Sequence, residues 1–437
     1  MGIEKDILGA VYVEDKEVRA GEEGLEISNI NPKYRKAAIK LLSKEEGLVN
    51  VDMEKHEWYN YCLAGYKGVL ETKPNNKVKK IKIMIDGTVP AGSGLSSSSA
   101  LVVCMSLATS YSQNIPLKQK ELAKLCVNSE RYVGVNGGGM DQTCSILARK
   151  NALLNIEFIP TLNARLVKLP NLTPECVFVI ANSNIVADKQ KSAKYHYNLR
   201  VVETRMVAYL LASYLKLDID LFEAPTLKTV LDAYYKNNSN TSNLDKLTEF
   251  LKLTKEHINK EPYTVESFSR DSKLPLEKVE QLFFTKYDVD RTKFELYKRA
   301  KHVFSEALRV YQYCELCESS SPDVASKLGN LMNDSQGSCN LLFDCSCPEL
   351  NQLTQLALQH GALGSRLTGA GWGGATVSLV PVEKVEEFIK GLRNSYFKKY
   401  TDEQFNEFVF PTSPSMGAVL LNNLEQFLSS TKLGNKL

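Results

Sequence analysis

The segment Val89-Pro90-Ala91-Gly92-Ser93-Gly94-Leu95-Ser96-Ser97-Ser98-Ser99-Ala100 constrains this chain more than any other. Before it, VKKIKIMID (78–86) alternates lysine with apolar residues, the pattern of a half-buried strand. After it, an apolar run from Ser98 to Ser112 reads as a helix. A loop of glycines and serines therefore opens onto a helix N-terminus. There the unpaired backbone N–H groups and the positive end of the helix dipole favour an anion, and glycine lets the backbone approach it closely. No Gly-Lys-Ser/Thr ending follows, so this is not a Walker A loop. A flexible Gly/Ser linker would share the composition. The patterned flanks and the apolar anchor Leu95 favour a phosphate site in which one serine hydroxyl can ligate Mg²⁺.

Two further glycine-rich elements stand out. Gly137-Gly138-Gly139-Met140-Asp141-Gln142 follows a helix over residues 116–127, with Glu130 at or just past that helix's end. A phosphoryl transferase needs one group to orient the attacking hydroxyl and take its proton, and another carboxylate to hold Mg²⁺. Asp141 and Glu130 can divide those roles. Read by itself, Asp141 fits better as the N-cap of the next helix, and the phosphate loop in the same chain is what moves the reading toward catalysis. Arg366-Leu367-Thr368-Gly369-Ala370-Gly371-Trp372-Gly373-Gly374-Ala375 precedes a strand, TVSLVP. It suits either a ligand-binding loop or a hairpin connection with a buried Trp. Two such loops in one chain fit a nucleotide better than two coincidental turns.

A chain of 437 residues is long enough for two domains. Its net charge of +3 gives no electrostatic footprint for nucleic acid or for a membrane surface. No apolar run reaches the length of a bilayer span. The N-terminus MGIEKDILGAVYV lacks a signal-peptide layout, and Asp6 breaks a myristoylation motif. The cytosol is the expected location. Of the 10 cysteines, Cys314 and Cys317 form a CxxC inside a helical-looking stretch without a Gly turn. Reduced structural thiols fit that context better than zinc.

Further strands are expected over 3–13, 151–158 and 175–182, and helices over 55–71, 294–318, 322–342 and 348–360. Residues 215–290, with the polar linker KNNSNTSN (236–243), read as a helical insertion without chemistry of its own. The order of strands and helices predicts α+β rather than a doubly wound sheet.

Together these elements resemble the GHMP kinase superfamily, and within it the galactokinases and the eukaryotic N-acetylgalactosamine kinases. PAGSGLSSSSALVVC resembles the family's second motif, SERYVGVNGGGMDQ its catalytic stretch, and SRLTGAGWGGATVSLVP its third motif. EWYNY (57–61), FVIANSN (178–184), YNLRVVETR (197–205) and CSCPEL (345–350) add agreement. The last string and Gly-Gly-Gly-Met-Asp-Gln argue against a mevalonate kinase. The resemblance implies two lobes with ATP between them. Residues 1–180 would form a lobe like ribosomal protein S5 domain 2. Residues 181–437 would form a ferredoxin-like lobe carrying the helical insertion. It implies an ATP-dependent sugar 1-kinase acting on galactose or N-acetylgalactosamine, with Mg²⁺, as a monomer. The alternative is a galactokinase-like sugar sensor without turnover.

By the same resemblance Asp141 is the catalytic base or orienter, and Ser98 and Glu130 ligate Mg²⁺. Gly92, Gly94, Ser96 and Ser97 cradle the phosphates, and Trp58 lies by the adenine. Gly139, Asp141 and Tyr197 meet the sugar. Lys189 falls where the family has an Asn-Lys pair near the nucleotide, although its neighbour here is Asp188. Family members carry a Gly-Arg-Val-Asn-x-Ile-Gly-Glu-His-x-Asp-Tyr segment before the strand that matches Ile7 to Val13, and this chain begins at Met1 after that point. The expectation is that either further sequence precedes Met1 or the chain is a short form with impaired sugar phosphorylation.

Overall fold

The alternation along residues 78–87 is realised in full. Ile81, Ile83 and Ile85 are buried on one face of a strand. Lys80 and Lys82 lie on the other face and pair with Glu26 and Glu14, each at 2.7 Å. The computed structural model describes residues 1–55, 57–75, 77–134, 137–186, 194–221, 225–238, 240–319 and 321–421. The chain divides into two units. The first holds Met1–Ala91, Ser96–Lys168 and a C-terminal segment from Ser413, and the second holds Gly92–Leu95 and Leu169–Thr412.

In the first unit β1 (Ile7–Val18), β2 (Glu23–Asn29), β3 (Ala37–Lys40) and β4 (Val78–Gly87) form one sheet in the order β1-β4-β2-β3. β4 runs antiparallel to β1, with Val11 opposite Ile83, and parallel to β2, with Ile27 opposite Ile83. That register aligns the apolar faces. Helices α1 (Asn60–Thr72) and α2 (Ser97–Ser112) bring Tyr66, Leu70 and Met105 to the same core. α3 (Gln119–Ser129), a 3₁₀ turn over Glu130–Val133 and α4 (Met140–Leu147) follow. Val102, Leu122, Cys126 and Ile146 pack these helices together. β5 (Ala152–Glu157) and β6 (Asn163–Lys168) form an antiparallel pair.

The second unit has a helical body and a sheet. α5 (Tyr197–Tyr214), α6 (Leu227–Tyr234), α7 (Asn243–His257), α8 (Val265–Ser272), the single turn α9 (Leu276–Val279) and α10 (Leu296–Glu318) enclose Phe250, Phe268, Phe283, Phe294 and Phe304. The polar linker ends at Ser242, whose hydroxyl accepts the Asp245 N–H at 3.1 Å and starts α7. The remaining helices are α11 (Val324–Ser338), α12 (Pro348–Gln359), α13 (Val385–Ser395) and α14 (Asp402–Phe408). β7 (Cys176–Asn182), β8 (Gly364–Leu367), β9 (Ala375–Pro381) and β10 (Val409–Thr412) form an antiparallel sheet, in the order β10-β7-β9-β8. Leu353, Phe388, Leu392 and Phe397 cover Val179 and Val380 on this sheet. The chain is thus α+β.

The compact units divide the chain differently from the expected 1–180 and 181–437. The division falls after Lys168 rather than at 180, because β7 pairs with β9 and β10 of the second unit. The chain from Ser413 belongs to the first unit, not the second. There the Gly417 N–H donates to the Ala148 carbonyl at 2.9 Å, and the Ala418 N–H to the Ser145 carbonyl at 2.7 Å. Residues 92–95 within the serine-rich segment group with the second unit.

The helical body contains one deeply buried carboxylate. Glu203 on α5 is 1% exposed. It pairs with Arg200, accepts from Arg299 Nε at 2.7 Å, and accepts the Glu295 N–H at 2.8 Å. Removing one member of a buried ion cluster leaves the others without compensation, at a cost of about 3–5 kcal/mol. Glu203→Leu should lower unfolding free energy by about that amount, read from the denaturant midpoint at constant slope. A loss no larger than an exposed ion pair gives would show that Arg200 and Arg299 are satisfied without it.

Candidate active site

In the first unit, residues expected at the site stand at two helix starts. Ser96 stands in the left-handed region at φ 62°, immediately before α2. Its carbonyl accepts the Ala100 N–H at 3.0 Å, the first bond of the helix. Its side chain makes no capping hydrogen bond. Ser97 and Ser98 occupy the open first turn and are half-buried. The N–H groups of such a turn have no intrahelical acceptors, so they point at whatever anion lies beyond the end.

The second start is that of α4. Gly139 holds the N-cap position at φ 93°, and Asp141 sits in the first turn. Asp141 is therefore not the N-cap residue of α4. Its side chain is half-buried and makes no hydrogen bond or ion pair with the described residues. The Thr143 hydroxyl instead donates to the Gly139 carbonyl at 2.7 Å. Glu130 opens the 3₁₀ turn and is buried. Its Oε2 lies 4.0 Å from the point where a side chain on Gly137 would begin. Ser98 and Glu130 supply one hydroxyl and one carboxylate. That donor set suits Mg²⁺, which keeps several waters and takes phosphate oxygens rather than a full protein cage.

Trp58 precedes α1 and donates from Nε1 to the Arg35 carbonyl at 3.0 Å. Its ring lies 5.4 Å from that of Tyr34 and 6.3 Å from that of Tyr59. Its ring neighbours are thus Tyr34 and Tyr59.

In the second unit the two glycine loops meet. Gly92 and Gly94 both have positive φ, and a Cβ on Gly94 would stand 3.1 Å from Gly374 Cα. The loop bearing Trp372 is fixed from several sides. The Ser183 N–H and hydroxyl both donate to the Gly374 carbonyl, at 2.8 and 2.6 Å. The Trp372 N–H donates to the Cys345 carbonyl at 2.8 Å, and its Nε1 to the Asp344 carbonyl at 3.0 Å. The indole stacks on His196 with centroids 4.9 Å apart and planes at 6°. Burial, reinforced by Arg200, holds His196 below the ordinary imidazole value. Tyr197 begins α5 beside it and is exposed. Lys189, with Asp188, lies outside the described residues.

The strings CSCPEL and FVIANSN carry no role by sequence alone. Cys345 and Ser183 from those strings hold the glycine loop in place. His196 and Asp344 carried no sequence signal. Gln142 was visible in its motif but had no role. Its Nε2 donates to the Ser99 hydroxyl at 3.3 Å.

Gly139 gives a direct test of the α4 start. A Cβ there would lie 2.8 Å from Val127 Cγ2, at a backbone angle that side chains rarely adopt. Gly139→Ala should destabilise by roughly 1–3 kcal/mol, the usual cost of such a conformation. Adding Val127→Ala should recover only the steric part. Full recovery in the double variant, read by chemical denaturation, would mean that the backbone angle carries no cost.

Residues 60–149 match the GHMP kinases N terminal domain, and residues 322–399 match the GHMP kinases C terminal domain. The chain is 38% identical to a galactokinase of Dictyostelium discoideum, over 91% of this chain and 81% of the relative. It is 32% identical to a galactokinase of Schizosaccharomyces pombe, over 97% of this chain and 88% of the relative. The crystal structure of Lactococcus lactis galactokinase complexed with galactose superposes with a TM-score of 0.66 at 22% identity, covering 96% of this chain and 88% of that one, and so shares the fold. Two matched domains, and identity of this level over nearly the whole chain, place it plainly in the galactokinase family of GHMP kinases.

Proposed function

We propose that this chain transfers the γ-phosphoryl group of ATP to the anomeric hydroxyl of galactose, giving galactose 1-phosphate and ADP. The observation that carries the reading is the state of Asp141. It is placed by Gly139 in the first turn of α4, and its carboxylate is committed to no other described residue. The same unit carries the serine-rich start of α2. The relatives at 38% and 32% identity bear the name galactokinase, which favours galactose over its 2-acetamido analogue.

In this reading Asp141 orients the anomeric hydroxyl and accepts its proton as the oxygen forms its bond to phosphorus. The bond from that phosphorus to the bridging oxygen of ADP breaks in the same transfer. Gly92, Gly94, Ser96 and Ser97 receive the phosphates through backbone N–H groups and hydroxyls. Ser98 and Glu130 would hold Mg²⁺, which neutralises charge on the phosphate oxygens. Trp58 is assigned to the adenine, and Gly139 and Tyr197 to the sugar. Positioning and charge stabilisation do most of the work in phosphoryl transfer, so these roles need no strong nucleophile from the protein.

ADP release with galactose and with N-acetylgalactosamine tests the proposal. Galactose should be the better acceptor. Asp141→Asn should lower kcat by about 10²–10⁴-fold, with little change in affinity for a fluorescent ATP analogue. Turnover at the parental rate in that variant would remove Asp141 from the chemistry. Saturable binding of galactose and nucleotide without ADP release would instead favour a sensor.

A further inference from the structure

Two side chains that the phosphotransfer reading leaves idle join its two key turns. Gln142 is 2% exposed and Ser99 is 3% exposed. The Gln142 amide donates to the Ser99 hydroxyl at 3.3 Å. Each partner sits one residue after a group given a role above: Ser99 follows Ser98, and Gln142 follows Asp141. We propose that Gln142 is a positioning residue, whose bond to Ser99 fixes the first turn of α4, with Asp141, against the first turn of α2, with Ser98. The inference rests on the proposed phosphotransfer.

The geometry supports this division of labour. Ser98 and Asp141 are half-buried, whereas their neighbours Ser99 and Gln142 are buried. Successive residues of a helix are rotated by about 100°. Locking the inward member of each pair therefore sets the direction of the outward one. α4 also needs outside support. It has eight residues, and a helix that short is marginal on its own. Its far end is tied by the bonds from Gly417 to Ala148 and from Ala418 to Ser145. The near end follows Gly139, the least restrained kind of residue. Besides the backbone bonds of the helix and the Thr143 hydroxyl, Gln142 supplies the cross-link at that end.

The choice of residue points the same way. Gln142 Oε1 is buried and has no hydrogen-bond partner among the described residues. An apolar side chain of similar volume would fill the position without desolvating that oxygen. Stability alone would favour the apolar residue. A polar residue here is explained by the group that it does engage, the hydroxyl next to Ser98.

The test is a double-mutant cycle on Gln142→Leu and Ser99→Ala, with Ser99→Thr as the conservative control. Galactose phosphorylation is measured at varied ATP and sugar, alongside thermal melting and amide hydrogen exchange. Each single change should lower kcat by roughly 10–10²-fold, the scale of a small misplacement of reacting groups. KM for ATP and the thermal midpoint should move little. The double variant should be no slower than the worse single one, because both remove the same bond. Ser99→Thr should keep most of the rate. Exchange should quicken at residues 97–101 and 140–144 in Gln142→Leu, and not elsewhere in the unit. An unchanged kcat, a kcat that falls only as folded protein is lost, or additive effects would each overturn the proposal. If Gln142→Leu fails to fold, Ser99→Ala carries the same comparison. If the parent chain does not phosphorylate galactose, the functional reading fails. The exchange data then decide the positioning role, which localised quickening supports and unchanged exchange overturns.

Discussion

Ile81, Ile83 and Ile85 on β4 are the constraint on which the first unit depends. β4 is the inner strand between β1 and β2, so its register sets theirs. A slip of one residue would turn Lys80 and Lys82 into the core and break their pairs with Glu26 and Glu14. The apolar face and the charged face thus specify the same alignment from opposite sides. β4 ends at Gly87, and the chain reaches the start of α2 at Ser97 within ten residues. Packing of α2 on that sheet through Met105 and Ala108 therefore anchors the turn that carries Ser97 and Ser98. The serine turn is placed by the core, through one short connection.

The second unit solves a related problem without a helix end. Its glycine loop has no regular structure to define it, and its glycines permit many conformations. Definition comes from partners. Ser183 grips the Gly374 carbonyl, Cys345 and Asp344 hold the two N–H groups of Trp372, and His196 stacks on the indole. Arg200 and Arg299 bind Glu203 below, which ties α5 to α10. The bonds are mostly to backbone carbonyls, so their geometry survives side-chain variation better than their identity suggests.

Strong local patterns were legible in the sequence, and weak ones were not. The alternation of residues 78–86 and the apolar run of 98–112 marked β4 and α2 to within a residue or so. The strand expected over 3–13 runs instead over Ile7–Val18, because its polar second half, Glu14 to Glu17, lacks an apolar period. β2, β3, β6, β8 and β10 are not among the expected strands. β3 and β8 have four residues each, too few to show a period, and β6 mixes Arg165 and Lys168 with only two large apolar residues. At the site, the glycine and serine runs were legible because φ > 0 and close approach demand particular residues. Gln142, His196 and Asp344 were not, since their value lies in partners distant in sequence, such as Ser99 and Trp372.

These placements matter because of the reaction itself. In a loose phosphoryl transition state there is little covalent work for a protein to do, and rate comes from in-line geometry and fixed charge. In the proposed transfer, that puts the demand on where Asp141 is held. Two residues in the left-handed region, Ser96 and Gly139, hold the N-cap positions of the two helices. The buried amide of Gln142 then joins those turns to each other. Backbone strain and an unpaired buried oxygen are both costs that a purely structural design would avoid. Their occurrence together, at the two turns that the proposed mechanism uses, is the pattern expected where local stability has been exchanged for geometric definition.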